Sequence, residues 1–85
     1  MNLDDIKKQY QDAKMEAFER ITSREYDSLA EAIQQARDIA SAEDLLVSVW
    51  TRESNNKKFY YVVLSRDREL AYREGFTEVI KSYDL

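Results

Sequence analysis

Residues 48–63, SVWTRESNNKKFYYVV, constrain the fold more than any other stretch, because they read as two strands around a tight turn with large side chains facing both ways. Val, Trp, Phe and Tyr suit a pleated, half-buried surface, and Asn55-Asn56 tolerates the left-handed backbone that a two-residue hairpin turn requires. Counting outward from that turn pairs Thr51 with Tyr60, Val49 with Val62 and Val47 with Leu64. Because side chains alternate along a strand, the other face then carries Leu46, Ser48, Trp50, Phe59, Tyr61 and Val63. A lone hairpin is marginal in water, and one that is apolar on both faces needs two covers.

The rest of the chain supplies helices to provide them. Leu3, Ile6, Tyr10, Ala13, Ala17 and Ile21 recur at steps of three and four, the narrow stripe of a helix over 3–20, with Phe18 flanking it and Met15 pointing away. Asn2 suits its cap, Asp4 and Asp5 suit the positive end of its dipole, and Asp4 with Lys8 and Glu16 with Arg20 are spaced as ion pairs. Ser28-Leu-Ala-Glu31 is a capping box that starts a second helix over 28–41, with Leu29, Ala30, Ile33, Ala36 and Ala40 as its buried face. Those alanines let a sheet come close to the helix backbone.

Strands are expected over 45–52 and 58–64, followed by a short helix over 66–74. Ser65 would be its cap, Glu69 and Arg73 a pair along it, and Gly75, the only glycine, its end. Residues 76–83 read as a third strand, at an edge because Glu78 and Lys81 interrupt Val79 and Ile80. The connection of about ten residues is near the lower limit for a crossover, which places the third strand beside the first, in the order 2-1-3. The expected fold is thus a single small α+β domain, α-α-β-β-α-β, with a three-stranded, mostly antiparallel sheet packed by helices. Residues 22–27 are long enough to carry the first helix around the sheet, so that it covers the Trp50 face while the other two helices cover the Val49 face.

Eighty-five residues fit one domain, whose folded form hides only about 60–65 % of its extended surface. The chain has no cysteine and no histidine, which removes disulfides, thiolate nucleophiles, serine-histidine triads and ordinary zinc sites. A single glycine rules out dinucleotide fingerprints and phosphate-cradling loops, and an aromatic ribonucleoprotein signature of the K/R-G-F/Y-G/A-F kind is missing too. The carboxylate pairs Asp4/Asp5 and Glu16/Glu19, and Asp84 near the end, have no calcium-loop spacing and read as solvated surface. Tyr60 or Tyr72 near Arg68 and Glu74 offers general acid-base groups in principle, but nothing in the spacing fixes their geometry. Neither catalytic residues nor cofactor or metal ligands are assigned, and the expectation is a non-enzymatic protein. No apolar run approaches the roughly 20 residues of a membrane span, and the N-terminal stretch lacks a basic head with an apolar core, which points to the cytoplasm, in a cell or from a phage.

Trp50, Phe59 and Tyr61 each present about 150–250 Å², too much to leave in water. The cover is the first helix, a second copy of the chain, for which symmetric dimers and the coiled-coil-like stripe argue, or another partner. The leading expectation is a protein-interaction module, a small regulator or inhibitor, that uses Trp50, Phe59 and Tyr61 with a polar rim of Arg52, Lys57 and Lys58. The alternative is single-stranded nucleic acid, bound through the basic hairpin with aromatic stacking. A net charge of −4 weighs against it. The first 42 residues hold six basic against nine acidic side chains, so an acidic surface mimicking nucleic acid is a further expectation.

Overall fold

The computed structural model describes residues 3–85. A long helix, α1 (Leu3–Ser23), leads into a two-residue strand, β1 (Glu25–Tyr26), and a second helix, α2 (Leu29–Glu43). The hairpin follows as β2 (Val47–Ser54) and β3 (Lys57–Leu64); a 3₁₀ turn (Ser65–Asp67) opens the short α3 (Arg68–Arg73), and β4 (Thr77–Ile80) precedes a last 3₁₀ turn (Ser82–Asp84). The result is a small α+β domain with a four-stranded antiparallel sheet in the order β1-β3-β2-β4.

The hairpin forms in the expected register, with Val49 opposite Val62 and Trp50 opposite Tyr61. Asn55 (φ 53°) and Asn56 (φ 63°) both take the left-handed conformation, so the turn's twist matches that of its strands. β4 lies beside β2, which confirms the 2-1-3 order of the three expected strands, with a register shift between Val49 and Trp50.

Several expectations need correction. The sheet has four strands because residues 25–26, taken as linker, pair with Tyr61 and Tyr60 along the free edge of β3. Two residues are too few to show alternation, but they occupy an edge that would otherwise be open. α1 runs three residues further than expected, to Ser23, where the Thr22 and Ser23 hydroxyls donate to the carbonyls of Phe18 and Arg20 and complete its last turn. α2 ends at Glu43, and Asp44 in the left-handed conformation closes it without a glycine. Strand boundaries move from 45–52 to Val47–Ser54 and from 76–83 to Thr77–Ile80, which leaves Leu46 exposed outside the sheet. Ser65 does not cap α3, since its hydroxyl donates to the Leu46 carbonyl at 3.0 Å. The expected Asn2 cap lies outside the described residues.

Each face of the hairpin has its own core. Ala32 and Ala36 of α2 bring that helix down on Val47, Val49, Val62 and Leu64, with Leu29, Ile33, Ile39 and Ala40 at the margin. Ala30, expected inside, is exposed, and Ala32 takes its place. The Ser28 hydroxyl accepts the Glu31 amide at 3.1 Å, as the capping box requires. On the opposite face Trp50, Tyr61 and Val63 pack with Ile21 of α1, Ala71 of α3 and Phe76, and Phe18 and Leu70 close the rim. α3 therefore joins α1 on the Trp50 face and does not share the Val49 face, because α2 already spans both β2 and β3 there. Full burial of Ile21, Val47, Val49, Val62 and Val63 contributes about 1.5–3 kcal/mol for each side chain.

One ion pair sets where α1 lies. Arg20 donates from Nε and Nη2 to both oxygens of Asp67, at 3.1 and 2.9 Å, and Asp67 is buried at the foot of α3. That hydrogen bonding raises the Arg20 pKa further against the opposing cost of burial, and the Asp67 and Glu16 charges act in the same sense. Arg20 thus turns to Asp67 for its bidentate partner, not to Glu16 as the i,i+4 spacing suggested. Arg20→Ala leaves a buried carboxylate without its cation and is expected to cost about 3 kcal/mol, the low end for opening a buried pair because Arg20 keeps about a third of its side chain in water. Lys14→Ala, which removes a half-exposed lysine from Glu74, should cost about 1 kcal/mol or less. Urea unfolding of the two variants checks the contrast.

Candidate interaction surface

The six residues expected to form a partner surface are distributed between the core and the hairpin tip. Trp50 is 4 % exposed and Tyr61 5 %, both beneath α1 and α3. The Trp50 indole donates to the Ser48 hydroxyl at 2.7 Å, two residues along the same face, so its one polar atom is satisfied inside. Phe59 is half-buried at the margin of this core. The Arg52 guanidinium lies over Phe76 at 5.0 Å and near Phe18 at 6.0 Å from the ring centres, a cation–π cap on the core. Of the six, Lys57 and Lys58 are exposed at the tip, each near a ring two positions on: Lys57 4.9 Å from Phe59 and also 4.0 Å from the Asp27 carboxylate, Lys58 6.0 Å from Tyr60. Those two rings belong to opposite faces of β3, so the tip offers no single platform of stacked aromatics.

Two groups that hold this face together carried no sequence signal. Asp67, buried by Arg20, is one. The other is Glu25 on β1, whose carboxylate accepts the Tyr61 hydroxyl at 2.7 Å. A carboxylate 36 positions upstream is not locatable from spacing. Burial pushes the Tyr61 phenol up to about 12, and the hydrogen bond to Glu25 and that residue's charge add to the shift, while Arg52 opposes it.

Large apolar side chains are open to water elsewhere: singly at Leu46, Tyr72 and Tyr83, and as a line along α1. Its C-terminal part packs into the Trp50 core through Phe18 and Ile21, Ala17 is buried beside it, and Lys14 ties the helix to Glu74 at 3.0 Å. Ahead of that tie the helix overhangs the body, and residues 3–16 are all exposed. The stripe that is buried at Ala17 and Ile21 therefore continues into water as Leu3 (64 % exposed), Ile6 (50 %) and Tyr10 (62 %). Where the overhang meets α3, Tyr10, Ala13 and Ala17 line a groove of about 230 Å³ with Leu70, Arg66 and Arg73.

A hollow of about 680 Å³ between α3 and β4 is bordered by Arg68 and Glu78, whose charged groups satisfy each other through two hydrogen bonds of 3.1 Å. Among the described residues no three acidic side chains converge as a metal site, and no helix is long and apolar enough to cross a membrane. Comparison with protein-family models, with curated proteins and with solved structures finds no match.

The Tyr61 environment gives a pH test of the buried face. Above the ordinary tyrosine value of about 10 the unfolded chain loses a proton that folded Tyr61 retains up to about 12, so stability is full below pH 10 and falls as pH rises through that window. Absorbance titration should show a phenol ionising near 12 that is missing in Tyr61→Phe, and this variant should lose part of the alkaline decline in unfolding free energy.

Proposed function

We propose that the protein is a non-enzymatic interaction module whose contact surface is the exposed stripe of α1, Leu3, Ile6 and Tyr10, with the α1–α3 groove at its inner end. The observation that carries this reading is the continuity of one helical stripe from core into solvent: the same three-four spacing that buries Ala17 and Ile21 leaves Leu3, Ile6 and Tyr10 at least half exposed. A helix half without tertiary packing gains little from its own backbone hydrogen bonds, so an overhang of this length is stabilised chiefly by what docks on it. An amphipathic helix offering anchors at 3, 6 and 10 is one half of a helix-to-helix or helix-in-groove contact. The binding surface expected from Trp50 and Tyr61 is thereby transferred to the element that covers them. Lys57 and Lys58 remain as a separate basic tip. Nucleic-acid binding through that tip is the weaker reading, because Trp50 and Tyr61 are enclosed and unable to stack on bases.

The test separates folding from binding. Ile6→Glu combined with Tyr10→Glu should leave the urea midpoint of the body within about 0.5 kcal/mol of wild type, as for substitutions away from core contacts. The same pair should abolish every association of the protein, with itself or with another chain, as read by sedimentation and by affinity capture. Undiminished association in this variant contradicts the reading.

A further inference from the structure

We infer that α1 is one helix in two thermodynamic units: its inner turns, from Ala17 to Ser23, open only when the domain unfolds, whereas the outer turns, from Leu3 to Ala13, wind and unwind within the folded protein. This goes beyond the interaction reading and holds with or without a partner. Burial changes abruptly along the helix. Residues 3–16 are all exposed, while Ala17 and Ile21 are buried, Phe18 packs on the Trp50 core and Arg20 is fixed to Asp67 by two hydrogen bonds. At about 1.5 Å per residue the helix is a rod of roughly 30 Å, and about half of it lies ahead of Lys14. The Cα radius of gyration of 14.1 Å exceeds the roughly 12 Å of a compact chain of this length, in keeping with a rod that projects from the body.

A helix grows from a formed end without a new nucleus, so propagation alone decides the state of the outer turns. In water that step is close to neutral, with a factor of about 1–1.6 per residue for good helix formers even near 0 °C. Asp4, Asp5, Ile6, Tyr10 and Asp12 rank below Lys, Gln and Ala as helix formers, although Asp4 and Asp5 recover part of the difference at the positive end of the dipole. With every step near neutral, the helix boundary wanders between Leu3 and Lys14. It stops there because further unwinding draws Lys14 from Glu74, then Phe18 from the core and Arg20 from Asp67, which exposes apolar surface and strips a buried carboxylate of its cation.

The wandering boundary is a conformational device because Leu3, Ile6 and Tyr10 share one face only while the outer turns are wound. The helical fraction of residues 3–13 therefore scales the apparent affinity of anything that reads the stripe, and docking draws the boundary outward. Exposed positions on the far side of the helix set that fraction without touching the stripe, and Asp12 is one of them.

Native-state amide hydrogen exchange tests this, read residue by residue by NMR and repeated by mass spectrometry on the full chain at low concentration. Amides from Lys7 to Ala13 should be protected less than about tenfold, and those from Phe18 to Ile21 by about 10³ or more, with the step near Lys14. Asp12→Ala should raise the outer protection roughly threefold, and Asp12→Gly should lower it. Outer protection that is high in concentrated samples and falls on dilution upholds the inference, because a docked chain then supplies the excess. Outer amides as protected as the inner ones at the lowest concentration would overturn it, since the helix would then open only as a whole, and outer amides indifferent to both Asp12 substitutions would overturn it equally. Uniform protection beside stripe-dependent association removes this inference alone, whereas a step in protection without any association removes the interaction reading alone.

Discussion

Burial of both faces of the β2–β3 hairpin is the constraint from which the rest of the molecule follows. A sheet that carries Val47, Val49 and Val62 on one side and Trp50, Tyr61 and Val63 on the other is stable only between two layers. In a chain of 85 residues those layers have to come from nearly all the remaining helix. α2 is consumed by the first face. The second takes α3, too short to cover it alone, and the last two turns of α1. Arg20 on Asp67 then fixes the position of α1, and Lys14 on Glu74 marks the point where its packing ends. What lies beyond that point is helix without a core, and it is apolar along the line that the core had been using.

The division of labour within α1 explains why the sequence was informative about the fold and misleading about the surface. Periodicity identified the stripe at Leu3, Ile6, Tyr10, Ala13, Ala17 and Ile21, but periodicity is the same for a buried stripe and for an exposed one. Only the length of the sheet beneath the helix decides where burial stops. The hairpin register was legible because Asn55-Asn56 fixes the turn and a one-residue slip would exchange the two faces. The strand order was legible from the length of the connection around α3. β1 was not, since two residues carry no alternation. Arg20, Glu25 and Asp67 were not legible as partners either: each pair spans tens of positions, and charged residues in such places usually remain on the surface.

The aromatic residues illustrate a general ambiguity of small domains. Trp50, Phe59 and Tyr61 have the composition of an interface hot spot, and also that of a core too small to be built from aliphatic residues alone. Hydrogen bonding separates the two. The Trp50 indole is satisfied by Ser48 and the Tyr61 hydroxyl by Glu25, both within the chain, so neither side chain waits for a partner's polar group. Arg52 likewise spends its charge over Phe76 and Phe18. Large apolar side chains without such internal engagement lie elsewhere, among them Leu3, Ile6 and Tyr10 on α1 and Leu46 and Tyr72 beyond it.

The central claim is that the chain covers its own Trp50 face, whatever associates with the overhang. The emission of Trp50, the only tryptophan, followed while the folded protein is diluted over several decades of concentration, tests this most directly. The account predicts a blue emission that does not move anywhere in that range. A red shift on dilution with helicity retained would show that a second chain provides the cover, and would contradict it.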